Sequence, residues 1–255
     1  MSAILAIARR ELDSYFASPL GWIALCGFVF ITGFFFTFFL LQFNQYAVSA
    51  AYDPYGGGAL DINEALLPML FGNWAVVLML MCPAVSMRIF SDDVRQKSFE
   101  LLLSSPVGSG AIVLGKFLGA MGFLAVTFAA TLYQPAVLYW LGDPDPGVLT
   151  GSYLSMMLYA ACCIAVGMLM SSFTQSQIIA FMVSFATILV LYLLPWVVEG
   201  ASADWVVALG ELGMGAHIEA MAKGLVHTQD LVYFATFIGV CLFATQQRVE
   251  SFRWR

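Results

Sequence analysis

The sequence predicts an all-α polytopic membrane protein, with six transmembrane helices preceded by an N-terminal interfacial helix. Three observations carry this. Of 255 residues, 61% are hydrophobic and only 10% are charged, against roughly 25% charged in soluble domains. Mean hydropathy is +0.88. Six apolar runs reach or approach the roughly 20 residues needed to cross a hydrocarbon core of about 30 Å. In that medium a helix satisfies its own backbone polar groups. The whole chain, 1–255, reads as one transmembrane domain.

The first element covers residues 4–16. At about 100° per residue, Ile4, Leu5, Ile7, Leu12, Tyr15 and Phe16 share one half of a helix, while Arg9, Arg10, Asp13 and Ser14 share the other. Glu11 intrudes on the apolar half, where a basic neighbour could pair with it. Such a helix lies in the membrane interface with its basic face toward head groups. Ser18-Pro19 then breaks the chain, because the residue before proline is driven out of the helical region.

The spans follow at about 20–41, 66–87, 112–133, 153–170, 178–198 and 231–245. Pro83 and Pro135 lie in or beside them, as kinks that neighbouring groups can satisfy. The spans are read as uncharged, with Lys116 as an interfacial anchor and Gly115 and Gly119 as a small-x-x-x-small packing face. Nine of the ten Lys and Arg (Arg9, Arg10, Arg88, Arg95, Lys97, Lys116, Arg248, Arg253, Arg255) fall on one side, and Lys223 does not. The positive-inside rule makes that side the cytosol, so both termini are expected in the cytoplasm; the expected location, a bacterial inner membrane, is a separate expectation that charge bias does not supply. The acidic balance, net −6, argues against a nucleic-acid partner, which needs a basic patch.

Between spans 2 and 3, residues 88–111 form the one substantial cytosolic loop. Ser91-Asp92-Asp93 offers a helix start, and the segment through Arg95, Lys97, Phe99, Glu100, Leu101, Leu102, Leu103 and Ser104 is closed by Pro106 and Gly108. It reads as a short helix, polar then apolar, that packs on the bundle or enters a partner's groove. The outer loop 199–230 carries apolar stretches too short to span, suited to short helices at the outer leaflet. Its His217 and His227 read as solvated or interfacial residues. The five cysteines read as buried small hydrophobes, and no metal site is expected.

Several chemistries are excluded by their residues. Gly110 to Lys116 fits the spacing of a phosphate loop, but Phe117 stands where a hydroxyl must hold magnesium and the stretch opens a span. The chain has no nucleotide site and no catalytic residue on this reading. A proton-coupled carrier is disfavoured without a charge inside the spans.

Phe99-Glu100-Leu101-Leu102-Leu103-Ser104-Ser105-Pro106-Val107, followed by Ile112-Val113-Leu114-Gly115-Lys116-Phe117, resembles the segment after span 2 of ABC-2-type transporter permeases. Ala8-Arg9-Arg10-Glu11-Leu12 looks like the elbow helix of that family. His217–Asp230, Leu231-Val232-Tyr233-Phe234 and the basic tail are similar to its gliding-motility-type branch. Lys97-Ser98 stands where relatives often carry Gly-Thr. The resemblance implies a permease subunit that dimerises, with itself or a related permease, and docks two copies of a cytosolic ATPase subunit, which would carry the ATP and magnesium. An envelope accessory protein is a further partner of such machines. By the same resemblance, residues 92–106 form an ATPase-coupling segment. The alternative is a non-transporting membrane scaffold.

Overall fold

A computed structural model describes residues 3–52, 62–95, 108–142, 144–198, 210, 212–222 and 227–251. Among the described residues 92% are helical and none is in a strand. The helices are α1 (Ala3–Ala17), α2 (Pro19–Tyr52), α3 (Ile62–Ser86), α4 (Arg88–Arg95), α5 (Ser109–Ala130), α6 (Tyr133–Leu141), α7 (Pro146–Ser171), α8 (Gln177–Val198), α9 (Met214–Ala222) and α10 (Thr228–Ser251). Six candidate membrane spans result, α3 running on into α4 and α5 into α6.

The helices are longer than the apolar runs that announced them. α2 has 34 residues, about 51 Å at 1.5 Å per residue, and so overshoots the hydrocarbon by several turns. Helix formation continues past the apolar run because Gln42, Asn44 and Gln45 carry no breaker. α5 begins at Ser109 and α10 continues to Ser251 for the same reason.

Burial separates centre from rim. In α7, 72% of the most apolar window is buried within the chain, against 17% in each of α2 and α8. Trp74 and Leu78 of α3 and Met156, Tyr159 and Cys163 of α7 are fully buried and anchor the core. Phe28 of α2 and Phe128 of α5 close on Trp74, with ring centroids 5.5 and 5.6 Å away. Aromatic pairs at such spacing add attraction beyond buried area. Phe30, Phe34 and Phe38 of α2 point outward instead, as do Met182 and Val190 of α8. Four of the five cysteines are buried and Cys26 is exposed. That corrects the reading for Cys26, which sits on the outward side of the rim helix α2.

Pro135 explains the break between α5 and α6. It has no N–H to give the carbonyl of Thr131 four residues back, and α5 stops at Ala130. The freed carbonyl takes the Gln134 N–H at 3.0 Å and the Tyr153 hydroxyl at 3.3 Å. At the same end Asp145 caps α7, its Oδ1 accepting the Gly147 N–H at 2.7 Å, with Pro146 in the first turn.

The opposite end of the bundle gathers α1, α4, the start of α5, the end of α7 and the end of α10. Gly110 of α5 lies against Gln246 of α10 there, and Arg248 sits 5.1 Å over the Phe173 ring. Both ends of the described chain are therefore on one side of the bundle.

Candidate functional site: a charged node joining three helices

α1 lies along α5. Ile7, Ala8 and Glu11 press on Gly115 and Gly119: a Cβ on Gly115 would stand 2.8 Å from Ile7 Cβ, and one on Gly119 would stand 2.6 Å from Glu11 Cβ and 2.8 Å from the Ala8 carbonyl. Small residues permit such close approach. The small-residue face thus receives the interfacial helix. Arg9 and Arg10 point away and are exposed, as amphipathic spacing requires. Tyr15 is buried and its hydroxyl donates to the Val85 carbonyl at 3.2 Å. Burial above all, with the Glu11 charge adding and Arg88 opposing, pushes this phenol well above its ordinary value. It stays protonated and keeps donating.

Lys116 sits two turns into α5 and is only 3% exposed. Its Nζ donates to the Ile89 carbonyl at 2.6 Å and pairs with Asp93 Oδ2 at 2.8 Å and Glu11 Oε2 at 3.5 Å. It also lies 5.3 Å from the Phe90 ring centre, within cation–π range. One cation thereby holds α1, α4 and α5 together. This corrects the expectation of uncharged spans with Lys116 as an interfacial anchor: the residue is inside a candidate span and faces protein. A buried charge needs partners from several sides, and Glu11 on the apolar half of α1 is one of them.

α4 is placed from its other side by Ser171, the last residue of α7. Its Oγ accepts the N–H groups of Phe90 and Ser91 at 3.1 and 3.0 Å and donates to the Met87 carbonyl at 3.0 Å. These are first-turn donors that a helix cannot satisfy alone. Arg88 donates to Ser18 Oγ at 2.7 Å and lies 3.9 Å from Asp92. Gln177, the first residue of α8, donates to Asp92 Oδ1. Hence Asp92 and Asp93 turn inward to the bundle and Arg95 is exposed. Asp92 and Asp93 were expected to start a helix; α4 in fact starts at Arg88 and they lie in its second turn.

Lys97, Phe99, Glu100, Leu101, Leu102, Leu103, Ser104 and Pro106 lie outside the described residues. Ser171, Gln177 and Tyr15 escaped sequence reasoning as partners, since a serine or glutamine at the end of an apolar run carries no signal until its partner helix is in place. At the far end, His217 Nδ1 and Asp230 Oδ1 are 2.6 Å apart and their side chains are 19% and 8% exposed. His217 is thus partnered within the protein rather than solvated, while His227 is exposed. No cluster of three or more metal-ligating side chains occurs among the described residues.

In comparison with known proteins, a family model described as ABC-2 family transporter protein matches residues 5–204. No curated protein matches the chain.

Proposed function

Since the chain belongs to the ABC-2 transporter family, a family of membrane permeases without a nucleotide site of their own, we propose that it is the permease subunit of an ATP-driven exporter, or of a machine doing mechanical work on the envelope, powered by two copies of a separate ATPase. The observation that carries this reading is the Lys116 node. It ties the interfacial helix α1 and the span α5 to α4, which leads directly into residues 96–107. A push on that segment would reach three helices through one short, buried set of contacts, without bending a span.

The node end carries the basic residues among those described, Arg9, Arg10, Arg88, Arg95, Lys116 and Arg248, so on this reading it faces the cytosol, where an ATPase would dock. Glu100 and its neighbours would enter the ATPase cleft. The gliding-motility-type branch rests on residues 217–234, beyond the stretch that the family model covers.

Purification of the tagged chain from membranes is the first test: a stoichiometric ATPase subunit is expected, and a chain arriving alone would favour the scaffold. Charge reversal, Glu100→Arg, is the second. The variant inserts normally, but addition of ATP no longer changes amide exchange in α4. An unaltered response would remove Glu100 from the coupling path.

A further inference from the structure

The end of the bundle away from the Lys116 node carries a groove that the coupling reading does not use. It runs between α2, the start of α3 and α6. Leu66 of α3 and Leu138 of α6, both buried, form its floor. Leu41 of α2 and Leu141 of α6 stand at its rim, 59% and 58% exposed. The groove holds about 310 Å³, and Asn44 is the one polar side chain among its described lining residues.

Local contacts fix its walls. α5 stops at Ala130, ahead of Pro135, and α6 starts afresh at Tyr133. Just past α6, Gly142 lies so close to the start of α3 that a Cβ on it would stand 2.5 Å from Ile62 Cδ1. The Asp145 N–H donates to Asn63 Oδ1 at 3.0 Å. These contacts clip the end of α6 to α3, and α2 supplies the third wall.

Depth and size decide what the groove takes. α2 leaves the node end at Pro19, next to Ser18 and its partner Arg88. Leu40 and Ala47 lie about 32 and 42 Å further along it at 1.5 Å per residue. The hydrocarbon is about 30 Å thick, and the bilayer with its head groups about 40–45 Å. The groove therefore crosses from the acyl chains into the head-group layer of the leaflet far from the node. Its lower mouth continues the outward side of α2, where Phe34 and Phe38 are exposed. Its upper part sets apolar side chains in a wet layer, where covering them is favourable. Over the roughly 10 Å of α2 from Leu40 to Ala47, the space averages about 30 Å² across. A helix with its side chains, about 10–12 Å wide, needs at least about 80 Å². A single hydrocarbon chain needs far less.

We propose that this groove binds one acyl chain of a phospholipid from the leaflet far from the node. The chain lies along Leu40 and Leu138 with its lower end still in the hydrocarbon. The Asn44 carboxamide stands at the level of the ester groups, to which its N–H can donate. The inference rests on the membrane residence of the chain and does not depend on the ATPase partner.

Photolabelling of the full chain in phosphatidylcholine nanodiscs tests it, with a phosphatidylcholine carrying a diazirine on its acyl chain as the probe. Adducts are mapped by peptide mass spectrometry. The wild type gives adducts at Leu40, Phe43 and Leu138, and also at Val240 and Phe243, which are exposed or outward on α10 and report ordinary lipid contact. Two variants fill the groove from opposite walls, Ala47→Phe and Leu141→Trp. Each lowers the groove adducts at least about fivefold, as expected when a side chain takes the space of a ligand, while α10 labels as before. Val48→Phe, at an exposed position outside the groove, leaves both sets unchanged. Because the two fills are independent, misfolding of one leaves the other to decide. Groove adducts that persist in a folded fill variant would overturn the site. So would their absence from the wild type, which would show the groove covered by protein, or an equal loss at Val240 and Phe243, which would show a general loss of lipid contact.

Discussion

Lys116 reaches the Ile89 carbonyl at 2.6 Å and Asp93 Oδ2 at 2.8 Å, so one cation on α5 grips two points a single turn apart on α4. A grip at two points fixes direction as well as distance. Glu11 at 3.5 Å brings the interfacial helix into the same arrangement. Any movement of α4 relative to α5 must therefore break the node or carry α1 along.

Lys116→Met removes the cation and leaves two carboxylates facing apolar surroundings. Asp93 is 24% exposed and Glu11 13%, so water recovers part of the loss. A destabilisation of about 2–3 kcal/mol is expected, below the full penalty for an orphaned buried charge. Thermal unfolding in detergent reads it, and adding Asp93→Asn to Lys116→Met should restore part of the midpoint. Strictly additive losses would show that the pair does not interact.

Gly119→Ala forces a methyl group against Glu11 Cβ and the Ala8 carbonyl, where a backbone atom cannot give way. α1 should lift from α5, with a loss of about 1–3 kcal/mol. Gly122→Ala is the matched control, since its Cβ meets only Leu12 methyls at 3.5 and 3.7 Å. It should be neutral in the same thermal assay or slightly stabilising.

Ser171→Ala strips α4 of the acceptor for its Phe90 and Ser91 amides. A cost of about 1–2 kcal/mol, that of a lost helix cap, is expected. Hydrogen exchange of those two amides should accelerate by about tenfold or more while α7 stays protected. Unchanged exchange at both would mean that α4 is held without Ser171.

Tyr153→Phe removes the side-chain donor to the Thr131 carbonyl freed by Pro135. The ring packing against Trp74 and Phe71 is kept. The expected loss is about 1 kcal/mol. Tyr153→Ala should cost more in the same thermal assay, because it also empties the aromatic contact.

The node was half legible in advance. Glu11 stood out because a carboxylate on an apolar helix face demands a basic partner, but Lys116 reads in the sequence as an interfacial anchor beside uncharged spans. Nothing in either spacing says that the two meet across 105 positions or that Asp93 joins them. Gly115 and Gly119 announced a close helix contact, but small residues do not name the helix they receive. Ser171 and Gln177 gave no signal, since their chemistry at α4 exists only once α7 ends and α8 begins beside it. Pro135 was a visible breaker; the hydroxyl that heals its break, on Tyr153, was not.

The sequence by itself determined that this chain is a bundle of six apolar helices with an interfacial helix in front. Hydrocarbon leaves long apolar runs no other backbone solution, and amphipathic spacing needs no partner to be read. Tertiary structure alone decided which charges are buried, which helices form the centre, and that charged side chains of different helices meet near each end of the bundle, Lys116 with Asp93 and Glu11 at one and His217 with Asp230 at the other. Those outcomes depend on residues of different helices arriving at 2.8 and 2.6 Å from one another. Local periodicity carries no information about that meeting.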